Sequence, residues 1–518
     1  MLGKILVPGR VALLAGEGLW VLAVVALSVA AACWNREAVF FGGEVYFADG
    51  DSYARMVRAR MVGEEGLRSI RWHGWENFPD GTVPHTTMPL DALIAGMSAA
   101  MAPFTARHLE LAGAWVSPLL GAAMVGFLAV WGAAVRLPWR RAMGFMAAVS
   151  PILAHGFGLG RPDHQSLLAL LFAVALAAEA SMWMGRGKAW GYVSAVAWGL
   201  ALWVSLFEPA VLLGVVLVAR AGRWVLGRRV AAGPEARPYH YGVLAGILLV
   251  GFLVDGWRVA PFHPAFERWA QNIGELRSAG LGGIFSWCGW LVVVAPVVLI
   301  WRAWRERGGI CGLFAVLVLV LAGLCLWHAR WGYFLAVAFA VSLPWVLGDV
   351  RWRLAGAAVF LASLWPVAGE WERMLFPEGE ALRARVENVA DAVALREAAL
   401  VLKGEPQGGV LAPWWFSPAI VWWSGQPCVG GTSHQSLPGI LESCEFYIGG
   451  GAGLRPGVKY VVAYEPERLE PNSAQILGQP VPGESRARLL WKSGAGFEGM
   501  GQIFANRFFK VYRVAEPK

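Results

Sequence analysis

The feature that most constrains this chain is a series of apolar runs, from Val11 to about Arg353, each long enough or nearly so to cross roughly 30 Å of hydrocarbon. With 57% hydrophobic and 15% charged residues over 518 positions, and a mean hydropathy of +0.51, the chain is too apolar for a soluble globular protein of this length. It reads as a multi-span membrane protein. Eleven spans are predicted, near 11–33, 113–135, 142–157, 166–183, 189–206, a short one at 209–219, then 241–254, 285–301, 310–327, 331–348 and 354–369. The connections 1–10, 136–141, 184–188, 220–238, 302–309 and 349–353 hold 17 Lys/Arg against 3 Asp/Glu, which assigns them to the cytoplasm. The alternate connections, 34–112, 158–165, 207–208, 255–284 and 328–330, hold 12 against 15.

An odd number of spans leaves the N-terminus in the cytoplasm and residues 370–518 outside. The apolar segment from Pro89 to Ala106 would break that parity if it crossed, so it reads as interfacial or re-entrant. The first run begins like a signal peptide but is too long for one and lacks a clean cleavage site, so it reads as an uncleaved span. From about Glu370 charge, Pro and Gly rise and no membrane-length run appears, which divides the chain into a transmembrane domain, 1–369, and a soluble domain, 370–518. The soluble part holds 15 Lys/Arg against 16 Asp/Glu, so the net charge of +8 belongs to the cytoplasmic loops facing anionic lipid and calls for no nucleic acid. Of six cysteines, Cys33, Cys288, Cys311 and Cys325 lie in or beside spans as small apolar fillers, while Cys428 and Cys444 are both in the soluble part, bridged or free. No zinc spacing, P-loop or dinucleotide fingerprint is present, which removes the common nucleotide-driven functions.

Polar groups recur on the predicted outer side. The first outer loop carries Asp49 and Asp51 in FADGDSYARM, and the second, GLGRPDHQS, carries Arg161, Asp163, His164 and Gln165 in so few residues that Asp163 is held at the membrane surface. The fourth contains AQNIGELRS with Glu275 and Arg277, and Arg330 stands between two apolar spans in HARWGYF. Carboxylates from distant segments on one face are how a protein binds a hard divalent cation such as Mg²⁺ or Mn²⁺. Plainer accounts exist for each: a solvated turn for Asp51, local ion pairs for Asp163 with Arg161 and Glu275 with Arg277, and an interface anchor for Arg330.

On these residues the chain resembles the catalytic subunit of oligosaccharyltransferase, in the GT-C glycosyltransferase superfamily, over nearly its whole length. The stretch from Asp49 to Arg55 looks like the family's first acidic motif, GRPDHQS like the second, and Asn272-Ile-Gly-Glu275 like the TIXE motif. The stretch PWWFSPAIVWWSGQPCV, from Pro413 to Val429, is similar to the surroundings of the WWD signature. The resemblance implies a mainly α fold, a polytopic helical bundle of about 11–13 transmembrane helices, followed by a mixed α/β extracytoplasmic domain. It implies an enzyme taking a glycan from a polyprenyl-linked donor to a protein or peptide acceptor, with a divalent cation, Mn or Mg. The single-subunit form, a monomer in a prokaryotic plasma membrane, is expected.

By the same resemblance Asp49, Asp163 and Glu275 would be catalytic and metal ligands, with Asp51 and Gln165 as second choices. Arg330 would bind the donor phosphate, and Trp414, Trp415 and Phe416 would line the acceptor site, although a Trp-rich interfacial belt also accounts for the two tryptophans. Two departures stand out. Phe416 replaces an Asp that reads the acceptor hydroxyl, a hydrogen bond phenylalanine cannot make, so acceptor choice is expected to differ from the standard Asn-X-Ser/Thr. Gln165 replaces an acidic residue or His. Two rival functions follow: a GT-C enzyme using a polyprenyl-monophosphate sugar on a lipid or hydroxyl acceptor, and a non-catalytic scaffold or transporter, which has against it the lack of a clear internal repeat.

Overall fold

A computed structural model of the chain describes residues 8–84, 86–226, 238–256, 262–305, 309–348, 353–449, 453–493, 496–497 and 499–515. The first part is helical: α1 (Pro8–Ala32), α2 (Arg36–Val39), a two-residue-strand hairpin of β1 (Phe40–Phe41) and β2 (Glu44–Val45), then α3 (Gly50–Glu64), α4 (Met88–Met101) and α5 (His108–Ala134). Next come α6 (Arg140–Val149), α7 (Pro151–Gly156), α8 (His164–Trp183), α9 (Ala189–Val204), α10 (Phe207–Leu226), α11 (Pro238–Asp255) and the short α12 (Phe266–Ala270). The bundle closes with α13 (Gly280–Cys288), α14 (Leu291–Arg305), α15 (Ile310–Trp327), α16 (Gly332–Val346), α17 (Arg353–Ser363) and α18 (Trp365–Leu375).

A helix lies at each of the eleven predicted positions, but the spans are less regular than the hydropathy suggests. Among the described residues five helices are long and apolar enough to cross a membrane, or six if one bent pair counts as a single span. The predicted span 285–301 is that pair: α13 and α14 meet at 80°, the chain turning at Gly289, whose φ of +75° suits glycine and where a Cβ would collide with the Ser363 carbonyl. The predicted span 142–157 is also broken, at Ser150, where Pro151 restarts the chain as α7. A helix of the length of α9, 16 residues, rises about 24 Å, short of a full bilayer crossing. Parts of the basic connections 1–10, 220–238, 302–309 and 349–353 lie outside the described residues. The most enclosed of these spans is Ala329–Val346, 83% buried, in which α16 is apolar on every side, as a helix surrounded by other helices requires, and Arg330 stands at the start. The apolar segment 89–106 forms α4, a 14-residue helix packed on α3 and α5.

The second part is mixed α/β: α19 (Gly379–Lys403), β3 (Gly409–Leu411), α20 (Ser417–Ser424), α21 (Leu437–Ile448), β4 (Val458–Tyr464), α22 (Pro466–Leu477), α23 (Arg486–Lys492), β5 (Gly496–Phe497), β6 (Met500–Ala505) and β7 (Phe509–Val514). Its strands form one sheet in the order β3-β4-β7-β6-β5, parallel between β3 and β4 and antiparallel elsewhere. Six of the seven residues of β4 are buried, as expected of a β-branched and aromatic strand inside a covered sheet. The two parts interlock where α20 packs on α3, and this contact positions the site. Cys428 and Cys444 are buried, unbridged thiols.

Candidate active site

The first acidic motif is a helix start. Asp49 is the N-cap of α3, its Oδ1 accepting from the Ser52 amide at 2.8 Å and the Ser52 hydroxyl at 2.7 Å, while Oδ2 lies 3.5 Å from Arg161 Nη1. Both oxygens are therefore engaged. Asp51, in the first turn, faces a cavity of about 1300 Å³ that Asp49 does not line. Gly50 separates them because nothing larger fits: a Cβ there would come within 2.7 Å of the Trp415 carbonyl and 2.8 Å of Thr432 Cγ2. This close approach presses the α3 turn onto the WWF segment.

The second motif caps another helix. Asp163 is the N-cap of α8, and His164 Nδ1 lies 2.7 Å from its Oδ1. Asp163 and His164 both line the cavity, as do Glu275 and Arg330. Arg330 Nη2 stands 2.5 Å from Glu208 Oε1 and 4.0 Å from Glu275 Oε1, and Glu275 Oε2 is buried without a hydrogen-bond partner. Gln165 does not line the cavity; it is buried behind it, its amide 3.5 Å from Glu208 Oε1.

These carboxylates share one field. Asp51 is solvent-accessible at the cavity wall yet surrounded by protein, and burial together with the charges of Asp49, Asp163 and Glu275 pushes it up to about 7 against a hydrogen bond from Thr432. Glu275 is raised by burial, with Arg330 acting the other way. Burial also works to raise Asp163, but His164 and Arg161 outweigh it and hold that carboxyl well below the usual range. Among the described residues, no three His, Cys, Asp or Glu side chains are drawn together into a formed metal-binding group.

The aromatic motif divides. Trp414 Nε1 donates to Asn472 Oδ1 at 2.9 Å, and Asn472 Nδ2 donates to Asn272 Oδ1 at 2.9 Å, so α22 joins the WWF segment to the loop that carries Glu275. The Trp414 ring meets Trp269 edge-on with centroids 5.8 Å apart. Phe416 points elsewhere, its ring packed between Tyr464 and Phe509 of the sheet at 5.0 and 5.1 Å. None of Trp414, Trp415 and Phe416 lines the cavity; from this side the wall is Thr432, Ser433 and His434. Sequence reasoning missed these three, and also Glu208, although a carboxylate in a two-residue connection between apolar runs was a signal available to it. It missed the support beneath Asp51 as well, where buried Arg55 and Arg58 of α3 face Asp91 of α4 at 2.8 and 3.7 Å.

No protein-family profile and no curated protein matches the sequence significantly. Solved structures do match. The archaeal oligosaccharyltransferase AglB from Archaeoglobus fulgidus, in complex with an inhibitory peptide and a dolichol-phosphate, superposes with a TM-score of 0.70 at 13% identity, covering 94% of this chain and 79% of that one. The chain has the oligosaccharyltransferase fold. The Archaeoglobus fulgidus enzyme tethered to an acceptor peptide containing the NVT sequon is similar at a TM-score of 0.65 and 13% identity, over 96% of this chain and 74% of that one. ArnT from Cupriavidus metallidurans bound to undecaprenyl phosphate matches end to end, 99% of this chain and 100% of that one, at a TM-score of 0.54 and 14% identity.

Proposed function

We propose that this chain is a membrane glycosyltransferase that moves a glycan from a polyprenyl-linked donor to a protein or peptide acceptor. The observation that carries this reading is the meeting of Asp51, Asp163, Glu275 and Arg330, from four separate segments, on one cavity of about 1300 Å³. The contents of the similar structures support it: AglB holds a peptide and a dolichol-phosphate, and ArnT an undecaprenyl phosphate. In this reading residues 1–369 are the transmembrane domain with a cytoplasmic N-terminus, and 370–518 the extracytoplasmic domain, in a prokaryotic plasma membrane. The chain acts as a monomer.

The roles follow from where each group sits. A departing lipid phosphate gathers negative charge, and of the arginines that line the cavity we assign it Arg330, which stands beside Glu275. Asp51 faces the space an acceptor would fill and can take or orient its proton. We assign this role to Asp51 in place of Asp49, whose oxygens hold the α3 turn and Arg161. Trp414 and Trp415 then act one layer behind the acceptor, tying the Glu275 loop and the α3 turn in place.

A divalent cation, Mn²⁺ or Mg²⁺, fits the donor set. Asp49, Asp163 and Glu275 raise the proton affinity of Asp51, and Glu275 Oε2 is buried without a hydrogen-bond partner, as suits acids arranged around a cation. Asp51, Asp163 and Glu275 would hold it, with Asp49 and Gln165 behind. Bound there, it would add Lewis-acid stabilisation of the leaving phosphate.

The test is transfer by the purified chain, with a lipid extract from its source as donor and a degenerate library of Asn-, Ser- and Thr-containing peptides, read by mass spectrometry with Mn²⁺ or with EDTA. Glycosylated peptide in the Mn²⁺ arm, lost in EDTA and in Asp51→Ala, is expected. No product from an extract that serves a known oligosaccharyltransferase would overturn the reading. The end-to-end likeness to ArnT favours a second reading, transfer of one sugar from a polyprenyl monophosphate to a lipid or hydroxyl. A single-sugar mass increment on lipid would identify it.

A further inference from the structure

Glu208 is the strongest feature near the cavity to which the reading above gives no role. It enters from the first turn of α10, on the cavity wall, with only 2% of its side chain exposed. Three donors fix it: the Ser205 hydroxyl on Oε2 at 2.7 Å, and on Oε1 Arg330 Nη2 at 2.5 Å and, more loosely, Gln165 Nε2 at 3.5 Å. Arg330 is the more exposed partner, at 18%, and its Nε is buried without a hydrogen-bond partner.

We propose that Glu208 is a positioning residue for Arg330, supplying from α10 a carboxylate that α8 does not provide at Gln165. The inference rests on the transferase reading, since it needs an anion for Arg330 to meet. Two arrangements are conceivable for a carboxylate on a phosphate-binding arginine: a rigid anchor behind it, or a stand-in for the phosphate that must leave when the donor arrives. The geometry favours the anchor. A stand-in would be mobile and open to the cavity, whereas Glu208 is pinned by Ser205 and Gln165 and almost wholly enclosed. Arginine has five N–H donors and Glu208 engages one nitrogen, so the guanidinium keeps donors for a second oxyanion. Without Glu208, the nearest acid to Arg330 is Glu275 at 4.0 Å. Arg330 would swing onto Glu275, withdrawing one cation from the donor and one carboxylate from the site. The contact with Gln165 adds a spatial argument. A carboxylate placed at 165 would lie beside the Glu208 head group, so the charge could come from either helix.

The test uses the full-length protein with undecaprenyl phosphate as the probe, comparing wild type, Glu208→Gln, Glu208→Asp and the double change Gln165→Glu with Glu208→Gln. Expected are a dissociation constant about tenfold weaker in E208Q, an intermediate one in E208D, and recovery to within about threefold of wild type in the double variant. In the transfer assay E208Q should raise KM for the donor more than it lowers kcat, as loss of binding common to ground and transition states does. Melting temperatures of all four report folding, and a purely structural Glu208 would lower melting without recovery of affinity in the double variant. Unchanged or tighter binding by E208Q overturns the anchor, tighter binding being the mark of a stand-in. A double variant no better than E208Q also overturns it. If wild type itself binds no undecaprenyl phosphate, the donor reading fails and this inference fails with it; if wild type binds and E208Q matches it, only this inference falls.

Discussion

At the scale of single residues the two aspartates of one turn have separate duties, and they are separable by experiment. Asp51 faces the cavity, so Asp51→Asn should lower transfer by about 100-fold or more, the range expected for loss of a general base or orienting carboxylate. Asp49→Asn should cost less, since asparagine still caps a helix and what is lost is chiefly the charge 3.5 Å from Arg161. The pH dependence has a definite sign. Burial and neighbouring acids push Asp51 up to about 7, so its ionised form, and with it transfer, grows as pH rises through about 7 and is lost below it. Stability runs the other way at this group. Between the ordinary carboxylate range and about 7 the folded chain holds a proton that the unfolded chain has released, so its contribution to folding weakens as pH rises through that window. Because a bound cation favours the ionised form, Mn²⁺ should move the activity midpoint to lower pH. Rate profiles across pH 5 to about 9 at two Mn²⁺ levels check both statements; a metal-independent midpoint in the ordinary carboxylate range would contradict them.

At the scale of elements, α20 and α22 explain why the aromatic motif looks familiar but is arranged for other contacts. Phe416 seals the segment against the sheet through Tyr464 and Phe509. Restoring an acid there would place charge among aromatic rings. Phe416→Asp should therefore destabilise the protein by about 3 kcal/mol or more and yield no gain in transfer to Asn-X-Ser/Thr peptides, as thermal unfolding and the peptide assay would report together. The Asn472 amide is the joint between Trp414 and the Glu275 loop. Asn472→Ala breaks two hydrogen bonds of about 1 kcal/mol each. It should raise KM for acceptor by roughly tenfold and leave kcat at saturation within about twofold, a split that steady-state kinetics resolves.

At the scale of the whole molecule, the helical bundle and the sheet-bearing part form one wall of chemistry from opposite sides. The bundle brings Asp163 and Arg330 at helix ends, and the second part brings Thr432, Ser433 and His434. All six cysteines are free thiols. Alkylation of the unfolded protein without reductant should therefore add six alkyl groups, read by intact mass; four would mean that Cys428 and Cys444 pair. Ser69 to Asp255 and Trp203 Nε1 to Asp255 at 2.6 Å tie the C-terminal ends of α9 and α11 to the segment before α4, so Asp255→Ala should loosen the bundle at that end and lower the melting temperature.

The sequence by itself determined the class of molecule. Apolar runs of bilayer length leave helices little alternative, and a composition break near residue 370 marks a different kind of structure. It also singled out Asp51, Asp163, Glu275 and Arg330, which line one cavity, because polar residues beside spans are costly unless used. Hydropathy could not reveal the 80° break at Gly289, since an average over a window is blind to one backbone angle. Nor could spacing decide between Asp49 and Asp51, which lie two residues apart. Only the packing of Gly50 against Trp415 and the cap that Asp49 places on Ser52 tie one to the α3 turn and leave the other facing the cavity. Glu208 and Phe416 were settled at the same level: one is brought from α10 to Arg330, the other drawn into the sheet, by packing between residues far apart in the chain.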